Sequence, residues 1–179
     1  MNKKIGLFWL RDDFRLAKNK GLIEATSNHD QVVVFYLYKE DGYKDQEAQK
    51  WWLSRSLFNF RKKLNDLNIT LEIVETNSFK IFFDKLIKKN DFAIYWNKVY
   101  EPDYLKFDEY LLSNFKNKGI YHKRFKGNAL NEIEEIKKSD GTPFKVFTPF
   151  WRTAEKYYIE KIPPKEKIIK RCKKKISYF

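Results

Sequence analysis

The sequence predicts a doubly wound α/β domain, and three observations carry that prediction. Short apolar runs recur between Lys4 and Trp96. They are continuous rather than alternating, as in strands buried on both faces of a parallel sheet. Between them lie segments whose apolar residues fall three and four apart, the spacing of amphipathic helices. A chain that alternates strand and helix in this way closes into right-handed βαβ units.

The first strand is expected over Lys4 to Leu10. The second, Gln31 to Tyr38 (QVVVFYLY), is richer in β-branched and aromatic residues. Ile69 to Val74 and Phe92 to Trp96 give a third and a fourth. A short fifth strand is expected near Gly119 to Arg124. The longest helix spans Gln46 to Leu67, with Trp52, Leu53, Ser56, Leu57, Phe60 and Leu64 on its periodic face. Phe79 to Ile87 and Tyr104 to Phe115 repeat that spacing. Asn77–Ser78 and Asp103 have the chemistry of N-caps. Further on the pattern weakens. Lys137 to Thr142 (KKSDGT) reads as a turn and Pro143 to Trp151 as irregular. A helix over Trp151 to Ile159 is ended by Pro163–Pro164. Lys161 to Lys175 is basic, with little core material, and reads as a linker or frayed tail. The expected organisation is therefore an α/β domain over residues 1–135, then a connector and basic tail over 136–179.

Composition suits a folded domain of 179 residues: 42% hydrophobic, 18% aromatic, six glycines and five prolines. Formal net charge is +13. That balance permits nucleic acid, acidic lipid or an acidic protein as partner. Lysine supplies most of the excess, a bias that the base composition of a gene produces equally well. The lone cysteine, Cys172, excludes an intrachain disulfide, and no Cys/His cluster has metal-ligand spacing. No apolar run approaches membrane-spanning length, and the start of the chain lacks a signal-peptide pattern. A cytoplasmic, reducing location is expected.

Several chemistries are excluded by motif. Open α/β sheets bind ligands beyond the C-terminal ends of their strands, near a topological switch point. The first such loop reads LRDDFRLAKNKG, and no GxG occurs anywhere. Neither a Walker loop nor a GxSxG elbow is present. The paired Asp12–Asp13 raise the question of metal-assisted phosphoryl chemistry. Flanked by Arg11 and Arg15, they read better as a salt-bridged strand exit. His29, before a strand, is expected to be exposed, and His122 to sit at the edge of the core.

Four ordered segments resemble the N-terminal domain of the photolyase/cryptochrome family. Phe8 to Leu16 (FWLRDDFRL) is similar to the family's opening W-F-R-x-D-L-R-L, with Trp9, Arg11, Asp13, Arg15 and Leu16 matching. Trp51 to Leu57 (WWLSRSL) resembles the start of its long second helix. Tyr95 to Pro102 (YWNKVYEP) is similar to W-N-R-x-Y-E-P. Pro143 to Arg152 (PFKVFTPFWR) is close to K-V-F-T-P-F, the most specific of the four. The chain departs where the family's opening motif continues D-N-P-A-L. Lys18–Asn19–Lys20–Gly21–Leu22 stands there, a change that a solvated helix start tolerates.

The resemblance implies a Rossmann-like, five-stranded parallel sheet flanked by helices. In the family this α/β domain often holds a light-harvesting pigment: methenyltetrahydrofolate, a deazaflavin or FMN. The pigment passes excitation to FAD in a large helical domain, which also receives the flipped pyrimidine dimer. That helical domain is expected to be absent from these 179 residues. The resemblance therefore implies an antenna domain of a deoxyribodipyrimidine photo-lyase: half of a split enzyme, a truncated product or a remnant, not catalytic alone. A flavin-binding helical chain would be its partner, with DNA reached through the complete enzyme. The alternative is a basic nucleic-acid-associated or partner-docking module that has lost the light function and uses the tail to track phosphates.

Candidate pigment contacts sit at the strand ends. The loop Lys39 to Asp45 with Trp51, Trp52 and Arg55 forms one side, and Asn97, Lys98, Glu101 and Asp103 the other. Folate-using relatives imply Asp103 before Glu101. Tyr104 stands where some of them have Glu, which argues against folate. Each candidate also has a structural reading: Trp52 as core, Trp51 as a half-buried aromatic, Arg55 as a solvated face residue, Glu101 as ordering the entry to a helix. Val146, Phe147 and Phe150 either pack the connector onto the domain or form an exposed apolar patch that invites a partner.

Overall fold

The computed structural model describes residues 5–39, 46–127, 129, 132, 135–157 and 169–179. The chain forms two compact units, one of residues 1–127 with 167–179 and one of residues 128–166. The sequence boundary at 135/136 therefore falls inside the second unit, and the end of the chain returns to the first.

The first unit is a five-stranded sheet in the order β3-β2-β1-β4-β5, parallel at every pairing. The strands are β1 (Ile5–Leu10), β2 (Gln31–Tyr38), β3 (Thr70–Glu75), β4 (Phe92–Asn97) and β5 (His122–Phe125). Every residue of β4 is buried, as are five of the six in β1. These central strands are apolar throughout because both faces are covered.

Helices α1 (Lys20–Asn28) and α2 (Glu47–Asn65) cover one face, where Leu22, Ala25, Leu53, Leu57 and Phe60 meet Phe8, Val32, Val34 and Tyr95. Helices α3 (Phe79–Lys89) and α4 (Pro102–Asn117) cover the other, where Phe83, Leu86, Leu111 and Phe115 meet Trp9, Val33, Phe35 and Trp96. This is the doubly wound arrangement the sequence predicts.

Local chemistry sets the helix starts. Ser78 caps α3, its side chain accepting from the Ile81 N–H. Asp103 is not the cap of α4. Glu101 holds that position and Pro102 takes the first turn, where a missing N–H costs nothing. Asn19 caps α1 and is fully buried. Its neighbours Lys18 and Lys20 are exposed, so the departures from the family pattern fall in solvent as expected. Gly21 admits no side chain: a Cβ there would stand 2.7 Å from both Asn97 Oδ1 and the Phe8 ring.

The end of the chain corrects the expectation of a frayed tail. Residues 161–168 lie outside the described residues, but 169–179 form a strap along the N-terminal ends of the strands. The Cys172 N–H donates to Leu67 O and Asn68 Nδ2 donates to Cys172 O. The Lys173 N–H donates to Asp30 O, and its ammonium pairs with the Asp30 carboxylate at 2.8 Å. Glu72 accepts from Ser177 Oγ and from the N–H groups of Tyr178 and Phe179. Cys172 is buried, and Ile169, Ile176 and Tyr178 pack against the core. The lysines between them stay in solvent.

His29 is also corrected. It is half-buried, and its Nε2 lies 2.8 Å from the Tyr95 hydroxyl. His122 occupies the core edge, with Nδ1 2.8 Å from Ile120 O and its ring against Phe115.

In the second unit the KKSDGT turn forms as expected, with Gly141 at φ 79° and Asp140 accepting from Thr142. The helix that follows, α5 (Phe147–Tyr157), starts earlier than the sequence predicts. Pro149 sits in its first turn, a position that tolerates proline, so residues 147–151 are helical while 143–146 are irregular as expected. Phe147 stacks on Trp151 at 6.2 Å and 12°. Val146, Phe147, Phe150 and Trp151 are all exposed, Phe147 at 71%.

Candidate functional site

In this strand order the topological switch lies between β1 and β4, which run side by side but feed connections in opposite directions. The crevice there is filled by the protein's own polar groups. Arg11 leaves the end of β1, 6% exposed, and makes a two-pronged pair with the fully buried Asp108 of α4 at 3.1 and 3.2 Å. It also donates to the Asn97 carbonyl. The guanidinium lies over the rings of Trp9, at 4.6 Å, and Tyr104, at 5.5 Å. Burial lowers its pKa from the ordinary arginine value, and Asp108 opposes that shift. Arg124 reaches the same carboxylate at 3.3 Å. Arg15 pairs with Asp13 at 2.7 Å, as the strand-exit reading expects, whereas Arg11 passes over its neighbours to reach Asp108.

Asn97 completes the plug. Its Nδ2 donates to Asn19 Oδ1 at 3.0 Å and approaches Asp13 at 3.4 Å, while its own Oδ1 is buried without a hydrogen bond. A side chain held this way braces β4 against the start of α1.

Open space lies to either side of the plug. On the α3/α4 face is a cavity of about 490 Å³ lined by Tyr36, Leu37, Lys39, Asn77, Ser78, Phe79, Lys80, Asp103, Tyr104 and Phe107. Its volume falls in the range of small-ligand sites. Its walls are rings: Phe79 lies 6.4 Å from Tyr104 and 6.5 Å from Phe107. Its polar lining is Lys39, Asn77, Ser78, Lys80 and Asp103, beside the N-terminus of α3, which favours a negative charge. On the α1/α2 face is a second cavity, about 470 Å³, lined by Arg11, Asp12, Phe14, Tyr36, Ala48, Gln49, Trp52 and Leu53. Tyr36 borders both.

The expected site residues are thus divided. Asp103 enters the first cavity. Trp52 enters the second, edge-on to Phe14, and at 59% exposed it is no core residue. Trp51 and Arg55 enter neither, for they lie on the outer face of α2 beside Phe58. Lys98 stands over the Tyr100 ring at 5.2 Å, and its carbonyl would collide with any Cβ at Gly127. Glu101 is exposed at the helix cap. Of the loop Lys39 to Asp45, residues 40–45 lie outside the described residues. The sequence reading missed Tyr36, Phe79 and Phe107. The signal for the last two was available: aromatics in the first turn of α3 and the second turn of α4, the helices that follow strand ends. Among the described residues no group of His, Cys, Asp and Glu is arranged to hold a metal ion, and no helix is long and apolar enough to cross a membrane.

A five-stranded parallel sheet with helices on both faces and cavities at the C-terminal ends of its strands defines a Rossmann-like α/β domain. Comparison with known proteins gives the family. Residues 6–167 match the DNA photolyase family model, and the chain belongs to that family, as its N-terminal α/β domain. It is 28% identical over 149 residues to a deoxyribodipyrimidine photo-lyase of Agrobacterium fabrum, covering 83% of this chain and 31% of that protein. It is 27% identical over 169 residues to cryptochrome-2 of Arabidopsis thaliana, covering 92% and 28%. The chain therefore spans about three-tenths of the length of these relatives. A bacterial class III photolyase from Agrobacterium tumefaciens superposes with a TM-score of 0.78 at 25% identity, over 96% of this chain and 35% of that one. The Synechocystis cryptochrome shares the fold with a TM-score of 0.76 at 19% identity, over 96% and 37%. So does the photolyase of Sulfolobus tokodaii, solved with two FAD molecules, at 0.64 and 22%, over 84% and 35%.

Proposed function

We propose that this domain is the antenna module of a photolyase and holds a flat light-absorbing heterocycle in the cavity between α3 and α4. The observation that carries this reading is the cavity itself. It combines aromatic walls with a helix N-terminus and two lysines at one rim. Phe79, Tyr104 and Phe107 would flank the ring system. Asp103 would accept a hydrogen bond from a ring amino or imino group. Lys39 and the α3 N-terminus would meet a phosphate or carboxylate tail. When bound, such a pigment supplies near-ultraviolet or blue absorption and passes its excitation to a flavin. The residues themselves hold it at fixed orientation and exclude water.

The Arg11–Asp108 pair stands behind one wall of this site, with the guanidinium against the Tyr104 ring. Photolyase repair and a flavin-binding helical partner belong to the same proposal.

The test is reconstitution. Purified protein is offered FMN, a deazaflavin and methenyltetrahydrofolate in turn, and retained absorbance is measured after gel filtration. Retention of one pigment is expected. If all three pass through unbound, the antenna reading fails.

A further inference from the structure

The outer face of α2 carries a pattern that neither the core nor the cavities use. Trp51, Arg55, Phe58, Lys62 and Asn65 follow one another at spacings of four, three, four and three, so they form a straight stripe along the helix. At 1.5 Å per residue the stripe is roughly 21 Å long. Both rings are exposed, Trp51 at 64% and Phe58 at 52%. Each has a cation over one of its two faces: the Arg55 guanidinium lies 5.8 Å from the Trp51 ring centre and the Lys62 ammonium 4.4 Å from that of Phe58. Lys50 and Ser54 line the shallow groove next to the rings. At its far end the stripe meets the strap, where Lys175 Nζ donates to Asn65 Oδ1 at 2.8 Å and Arg171 reaches Asn68. Arg61 and Lys63 add charge, while Glu47 is the helix's only carboxylate.

What distinguishes these two rings from scattered surface aromatics is the cation that accompanies each of them on one helix stripe. Here ring and cation alternate along the axis, and no continuous apolar strip exists for lipid or for a hydrophobic helix to cover. Alternating flat faces and positive charges complement an unpaired strand, whose bases stack while its phosphates lie at regular intervals. Duplex offers no free base faces to such rings. We propose that this stripe binds single-stranded DNA, independently of the pigment cavity and without base specificity. The lysines of the strap extend the site from a docked position; they do not form a loose tail.

The experiment is fluorescence anisotropy of the full chain with labelled oligo(dT), a duplex of equal length, oligo(U), and anionic vesicles as a separate arm. Oligo(dT) is expected to bind more tightly than duplex and at least as tightly as oligo(U), and vesicles only weakly. Trp51→Ala with Phe58→Ala should weaken oligo(dT) binding roughly tenfold or more, since each stacked base contributes substantially. Arg55→Gln with Lys62→Gln should lower the slope of log affinity against log salt by about 1.4, at about 0.7 for each cation that no longer meets a phosphate. All four side chains point to solvent, so unfolding is not expected, and circular dichroism verifies that. Unchanged oligo(dT) affinity in the ring variant overturns the proposal. So does a preference for duplex, oligo(U) or vesicles. Pigment retention by the same variants separates this result from the antenna reading.

Discussion

The two edges of the sheet are built in opposite ways. At the N-terminal edge, residues 169–179 lie along the strand starts and satisfy backbone groups of Asp30 and Leu67 and the side chain of Glu72. At the C-terminal edge a buried ionic plug is flanked by two cavities whose aromatic walls face open space. One edge is closed by the chain itself; the other is rigid at its centre and open at its sides. The difference teaches where ligand affinity can reside without loss of stability. Changes at the strap's inward residues should act on folding and leave pigment retention unaltered, and changes in the cavity walls should act first on pigment binding.

The largest expected effect lies in the plug. Asp108→Ala leaves Arg11 buried without its partner and should cost about 3–5 kcal/mol in urea unfolding. Replacing both by apolar residues, Arg11→Met with Asp108→Leu, should recover much of that loss. A small effect of Asp108→Ala would mean that the centre of the upper edge is not held by this pair.

The strap comes next. Tyr178 packs edge-on against Phe92 and donates to Asp91 at 2.5 Å. Its truncation to Ala should cost about 2 kcal/mol, below the value for a fully buried ring because Tyr178 is only half-buried. Pigment retention should be unaltered. A fall in retention would break the separation between the edges.

A pH dependence follows from burial. Tyr95 is 1% exposed, and burial pushes its pKa up to about 12. Tyr178 is also shifted upward, by burial and by its bond to Asp91. A raised folded-state pKa means that the unfolded chain releases the proton first, near pH 10. The stability linked to these neutral phenols is full below that value and is lost progressively as pH rises from about 10 toward 12 and beyond. Thermal melts across this range should show the decline, and Tyr95→Phe should flatten it.

The smallest effect is expected at Lys173, whose bridge to Asp30 lies in solvent with side chains 76% and 65% exposed. Lys173→Ala should change stability by less than about 1 kcal/mol. A larger loss would mean that charge rather than packing holds the strap.

The fold was legible because its central strands are buried on both faces. GLFWL, VVVFYL and FAIYW can hardly be anything else between helical patterns. The start of α5 was hidden by Pro149, which reads as a breaker unless its place in the first turn is known. The strap was hidden by its lysines. Its inward residues, Ile169, Cys172, Ile176 and Tyr178, pack on partners remote in sequence, and no local pattern reveals that. Of the candidate site, Asp103 was found by the rule that ligands gather at strand ends. Trp51 and Arg55 lie on the outer face of α2, away from both cavities, because spacing alone does not say which side turns outward when both carry tryptophan. Tyr104 stood out by resemblance, but its role above Arg11 emerges only when α4 is brought over β1.

The central claim is that the α3/α4 cavity holds the pigment. Tyr104→Ala removes one wall and leaves the Arg11–Asp108 pair in place, so equilibrium dialysis of this variant beside the wild type tests the claim most directly. The pigment that the wild type retains should bind the variant at least roughly tenfold more weakly, while circular dichroism shows the fold retained. Equal affinity in the two proteins would contradict the account.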